Sequence, residues 1–143
     1  MNTLQRCLAD IVEPTFEDFK RNPRSVRHAF LACVAAYHSI DRASHPKIPG
    51  NLRKKWRSES LEFLIVDMVA HKFKHVISDV EKQRVSVGRI PLSAIVFGSR
   101  TLNSAPFNTR PFNQGGIDLH NLFFVIRDAI AFLREQAEKL NGP

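Results

Sequence analysis

The sequence predicts a mainly α fold, a bundle of four or five helices broken by a loop-rich segment between about residues 84 and 116. Three observations predict it. Apolar residues recur at helical spacing along most of the chain. Capping and stop residues flank those stretches. Composition is globular, with 43% hydrophobic and 24% charged residues. At 143 residues the chain fits one domain, 1–143. A chain of that size buries roughly two thirds of its unfolded surface and needs no disulfide or metal to fold.

The first helix is expected over about 3–13, from Leu4, Cys7, Leu8 and Ile11. Pro14 then stops it, and Thr15 opens a short second piece with Asp18 as capping partner. Asn22-Pro23 reads as the start of a long helix to about residue 43. Val26, Phe30, Cys33, Val34 and Tyr37 form its expected core face, with Ala29, Ala32 and Ala36 allowing close packing. Two prolines and a glycine make 45–51 a loop. Asn51 caps a short basic segment ending near Arg57, and Ser58 or Ser60 caps a helix over about 61–80. Leu61, Leu64, Ile65, Met68 and Val76 give that helix its stripe.

Residues 84–116 change character. Val85-Ser86-Val87 alternates and 92–97 is apolar, which allows one small hairpin. Residues 98–116 read as a long loop rich in Asn, Pro, Ser and Gly. A bundle packed on a small sheet is the runner-up fold. The last helix opens on Asp118 and carries Leu119, Leu122, Phe123, Ile126, Ile130, Leu133 and Leu140 as an unbroken stripe. Asn141-Gly142 stops it. Phe124, Val125 and Phe132 lie off the stripe, a candidate homodimer surface unless residues 84–116 cover it.

Several classes are excluded or disfavoured. No apolar run approaches the roughly 20 residues of a membrane helix, and no secretory signal is legible at the N-terminus. The cytoplasm is therefore the expected location. Cys7 and Cys33 suit buried thiols rather than a disulfide or zinc framework. There is no Gly-rich phosphate loop, nucleophile elbow or Cys-x-x-Cys motif.

Two constellations carry the candidate chemistry. The first is basic. The chain has 21 Lys and Arg against 14 Asp and Glu, a net charge of +7. Residues 20–57 hold ten basic residues and one acid, Asp41. Such asymmetry suits a polyanion, or else a solvated face. Arg24, Arg27, Arg53, Lys54, Lys55 and Arg57 would contact nucleic-acid phosphates, and Trp56 among them would stack on a base. The alternative places Trp56 in the core.

The second constellation is built of His and Asp. Asp67, His71 and His75 recur every four residues, so they share one helix face. His38 and Asp41, three apart, stack in the same way on the preceding long helix. If the two helices pack antiparallel, all five residues converge on one polar site. Imidazole and carboxylate at this spacing are how helical bundles hold a divalent metal. A hydrogen-bonded pocket for a small ligand and plain internal pairing are the alternatives.

Tyr37-His38-Ser39-Ile40-Asp41 and the 67–75 segment resemble the YHxxD and DxxAxxxKH helices of small bacterial helical proteins of uncharacterised activity. That resemblance spans about half the chain and implies a shared fold and polar cluster. His38 with His71 and His75 is similar to the three-His metal set of DinB-like bundles, which implies a divalent ion. The segment 28–43 resembles the first long helix of HEPN-type domains, many of which act on RNA. Arg21 and His28 match the Arg-to-His spacing of that family's ribonuclease motif. Function is thus expected at a His/Asp-lined site for a metal or small ligand. The alternatives are a basic RNA-associated module and an interaction protein without a catalytic site.

Overall fold

A computed structural model describes residues 1–74 and 119–142, with the side chains of 72–74 and 120 left aside. Every element among the described residues is helical. The expected bundle forms, mainly α, with five helical rods among the described residues. The 84–116 segment with its expected hairpin, His75, Val76 and the Asp118 cap lie outside the described residues.

The first rod is α1 (Thr3–Cys7), a π-helical stretch (Leu8–Val12) and α2 (Glu13–Arg21), running on without a break. Asn2 starts it with a capping box: its side chain accepts from Gln5 N at 2.8 Å, and Gln5 Oε1 accepts from Asn2 N at 2.9 Å. Pro14 does not end the helix as expected. It has no N–H for the carbonyl four residues back, and the turn just before it widens instead. Glu13 N–H donates to the Leu8 carbonyl, five residues back. Thr15 caps nothing; its hydroxyl donates to the Ile11 carbonyl at 2.6 Å.

The second rod, α3 (Val26–Ser44), starts later than Asn22-Pro23 suggests. Ser25 is its N-cap and accepts from His28 N at 3.2 Å. Asn22 closes α2 instead, its amide donating to the Asp18 carbonyl at 2.9 Å. An Asn side chain serves either end of a helix, so sequence leaves that choice open. The core face is also rotated from the expected one. Ala29, Ala32, Cys33, Ala36 and Ile40 are buried, while Val26 is 39% exposed. The small residues win because α3 packs against α2, α5 and α6 at once.

After the loop come α4 (Gly50–Glu59) and α5 (Leu61–Lys74). α4 has no side-chain cap, so Asn51 does not play that part. Ser60 alone joins the two helices. Its N–H donates to the Trp56 carbonyl at 2.9 Å, ending α4. Its hydroxyl accepts from Phe63 N at 3.0 Å, starting α5. In α5, the stripe expected from Leu61, Leu64, Ile65 and Met68 is replaced by burial all round: every residue over 63–71 is buried. This helix touches α3, α4 and α6.

The last described rod, α6 (Leu119–Lys139), buries Leu122, Ile126, Ile130 and Leu133 as expected. Val125 and Ala129 join them. Gly142, at φ 73, follows its last turn. Asn2 Nδ2 donates to the Ala137 carbonyl at 2.8 Å, and Gln5 Nε2 to Glu138 Oε1 at 2.9 Å. The two ends of the described chain are thereby tied together.

The packing divides the candidate dimer face, and nothing among the described residues supports its use as one. Val125 is 1% exposed, and the Phe132 ring lies 5.9 Å from Trp56 and 6.3 Å from Phe63, centroid to centroid. Phe132 is partly buried and Phe124 is 38% exposed, with the Arg127 guanidinium 4.9 Å from its centroid. Trp56 is itself 2% exposed and edge-on to Phe63 at 5.4 Å. It is a core anchor, as one of the two readings of the sequence has it, and so is not placed to stack on a base. Trp56→Ala should lower unfolding free energy by about 3–5 kcal/mol. The neighbouring Lys55→Ala should change it by less than about 0.5 kcal/mol. Urea denaturation of the two variants checks both values.

Candidate functional site

The single-residue corner at Ser60 folds α4 back against α5. Arg53 stands seven residues before Ser60 and Asp67 seven after it, so both reach the same level. There Asp67, 0% exposed, holds Arg53 by two parallel bonds. Arg53 Nε donates to Asp67 Oδ2 at 3.0 Å, and Nη2 donates to Oδ1 at 3.0 Å. This fork geometry is the strongest arrangement open to the pair. Arg57, one turn further along α4, brings Nη1 to 3.5 Å from the same Oδ2.

His71, one turn along α5, completes the cluster. Its Nδ1 lies 2.7 Å from Asp67 Oδ1 and 2.9 Å from the Asp67 carbonyl oxygen. Its Nε2 lies 3.1 Å from Arg53 Nη2. A guanidinium can only donate. Nε2 therefore accepts, and the ring proton belongs on Nδ1, facing Asp67. Tyr37 of α3 closes one side. Its ring stands edge-on to His71 at 4.9 Å, and the Arg53 guanidinium carbon lies 5.5 Å from its centroid.

Burial pushes the Asp67 carboxyl up, but hydrogen bonds from His71 and Arg53 and the charge of Arg53 outweigh it. The group settles below its ordinary value. Burial pushes the Tyr37 phenol up, against the opposing charge of Arg53. The site thus contains an ionised, fully enclosed carboxylate facing two guanidinium groups and an imidazole.

The structure divides the five residues expected to converge. Asp67 and His71 meet. His38 and Asp41 pair with each other at 3.4 Å on the outer side of α3, with side chains 55% and 56% exposed. Their link to the cluster is the Tyr37 ring, 5.0 Å from the His38 ring. His75 lies outside the described residues. Among the described residues no three His, Cys, Asp or Glu side chains come together as a metal would need. The donor chemistry also disfavours a cation. Both Asp67 oxygens face guanidinium groups, and the Nε2 of His71 is engaged by Arg53. Asp67 and His71 as placed therefore give the divalent-metal expectation no support, and the part of it that rests on His75 lies outside the described residues.

The basic candidates are divided too. Arg53 and Arg57 turn inward to Asp67, with side chains 20% and 11% exposed. Lys54 and Lys55 stay exposed on the opposite side of α4, and Arg24 and Arg27 are exposed at the start of α3. Arg27 and Tyr37 are ten residues apart, about 15 Å along the axis. The His/Asp and Arg/Lys constellations therefore share one centre, which separate readings of each missed. The signal was present: two i, i+4 pairs, Arg53/Arg57 and Asp67/His71, set on either side of a capping serine.

Compared with family models, curated proteins and solved structures, the chain matches none. No helix among the described residues is long and apolar enough to cross a membrane.

The cluster fixes a pH dependence. Because the folded Asp67 carboxyl lies below its unfolded value, its stabilisation is complete above the unfolded value, near 3.9. It is lost as pH falls through the folded one. Asp67→Asn should flatten that acid limb of the stability curve. At neutral pH the same variant should cost about 3–5 kcal/mol, since it strips the buried cations of their counter-charge. Thermal unfolding of both proteins across acid and neutral pH measures the two effects.

Proposed function

We propose that this chain is a phosphate-binding helical module that engages a nucleic-acid backbone along α4. The observation that supports it best is the charge balance around Asp67. One buried carboxylate gathers Arg53 and Arg57, so the cluster keeps an excess of positive charge at the edge where Arg53 is 20% and Arg57 11% exposed. Lys54 and Lys55 extend that charge over the exposed side of the same helix. A strand with regularly spaced phosphates suits this better than one small anion, because the cations span more than one ion could contact. With Trp56 in the core, recognition would rest on phosphates rather than on base stacking. Asp67 and His71 act here as positioning residues that hold the Arg53 fork in place.

A second reading has its own support. Both Asp67 oxygens and both His71 ring nitrogens have protein partners. The cluster is therefore complete as an internal clamp between α4 and α5, in a protein whose role is purely structural or interactive.

Fluorescence anisotropy with labelled single-stranded RNA and duplex DNA separates the readings. Binding at low salt should weaken steeply as salt rises, through counterion release. Lys54→Glu with Lys55→Glu should weaken it further and reduce the salt slope by about 2. Absence of binding to either probe at low salt would leave the clamp alone standing.

A further inference from the structure

A groove of ≈ 550 Å³ runs between the first rod and α3, and none of its lining residues belongs to the Asp67 clamp. Its volume lies within the range of small-molecule sites. The floor is apolar, formed by Ile11 of the π-helical stretch with Val34 and Ala35 of α3. One end is polar, where α3 supplies His38, Asp41 and Arg42 and the chain continues to His45.

Three observations make this more than a surface crease. The first is the wall. Leu8–Val12 is π-helical, and such widened turns occur frequently at functional sites. The widening carries Ile11 on its outer side, where it is left 49% exposed despite being a large aliphatic residue. The second is the state of the charges. Asp41 is occupied by His38 at 3.4 Å. Arg42 has no ion-pair or hydrogen-bond partner for its guanidinium among the described residues, and His45 has none for its ring. The end of the groove thus presents a cation and an imidazole with their bonding capacity unspent. The third is the reach of that cation: burial pushes the Cys7 thiol, which also lines the groove, up, and the charge of Arg42 opposes that rise.

We infer that this groove binds a small amphipathic carboxylate, its apolar body on Ile11, Val34 and Ala35 and its carboxylate on Arg42. The fit follows from the chemistry of the two ends. An aliphatic floor gains by covering, at about 25 cal/mol per Å² of apolar surface removed from water. An unengaged guanidinium accepts a carboxylate in its fork, and His45 can add a second donor. An alkylammonium would meet Arg42 with like charge, and the groove's one carboxylate, Asp41, is already engaged by His38. A neutral alkyl chain would leave that end unused. The site is independent of the proposed nucleic-acid surface, which lies on α4.

Titration of the full-length, isotopically labelled protein with hexanoate and with hexylammonium, at matched ionic strength and neutral pH, tests the assignment by NMR. Hexanoate should give saturable shifts that centre on Ile11, Val34 and Ala35. Arg42→Gln, at an exposed position, should keep the native spectrum and weaken hexanoate binding about tenfold. Ala35→Phe, which fills the floor, should abolish the shifts; an unfolded Ala35→Phe is replaced by Ile11→Asp, with the same loss expected. Hexanoate shifts that spread over the surface or never saturate would overturn the inference. So would equal binding of hexylammonium, or hexanoate affinity untouched by Arg42→Gln.

Discussion

The constraint on which the described structure turns is the ionised carboxylate of Asp67 inside a helix that is buried on every side. A carboxylate removed from water costs several kcal/mol unless charge and hydrogen bonds replace its hydration. Here they come from three side chains on two helices. Arg53 fills the fork, Arg57 approaches the same oxygen, and His71 donates from its own helix. These bonds fix where α4 must lie relative to α5. Moving Arg53 one residue along α4 would turn it about 100° away from Asp67.

The corner at Ser60 makes that arrangement reachable. A one-residue link leaves little freedom in how α4 meets α5, and Ser60 serves both helix ends with its own donor and acceptor groups. The same fold-back sets Trp56 against Phe63 and Phe132. An aromatic contact and a charge clamp therefore lie along the two inner edges of α4, and its remaining side carries Lys54 and Lys55 into solvent. Ten residues are enough to combine an anchor, a clamp and a basic surface because a helix offers each a separate direction.

Tyr37 links the two polar regions of the molecule. Its ring meets His71 of α5 and its own chain neighbour His38, so the clamp at Asp67 and the exposed His38–Asp41 pair share one aromatic neighbour. Adjacent positions on one helix point about 100° apart. Tyr37 can thus face α4 and α5 while His38 faces the groove beside the first rod. Shared sequence position brought these residues under one expectation, and helix rotation separates them.

Helical character, the capping role of Ser60, the small-residue packing of α3 and the apolar stripe of α6 were legible in the sequence, because each rests on local periodicity or on contacts within one turn. So was the pairing of Asp67 with His71, four residues apart on one face. Whether Asn22 opens one helix or closes another, and whether Pro14 ends a helix or widens it, depended on what packs alongside. The partners of Asp67 across the corner, the burial of Trp56 and the outward turn of His38 and Asp41 were decided only by tertiary structure. Spacing along a chain fixes which side chains share a face. Which face is buried, and against what, is set by the neighbouring helices, and in α5 those neighbours enclose the whole circumference and force a charged residue to find its counter-charges there.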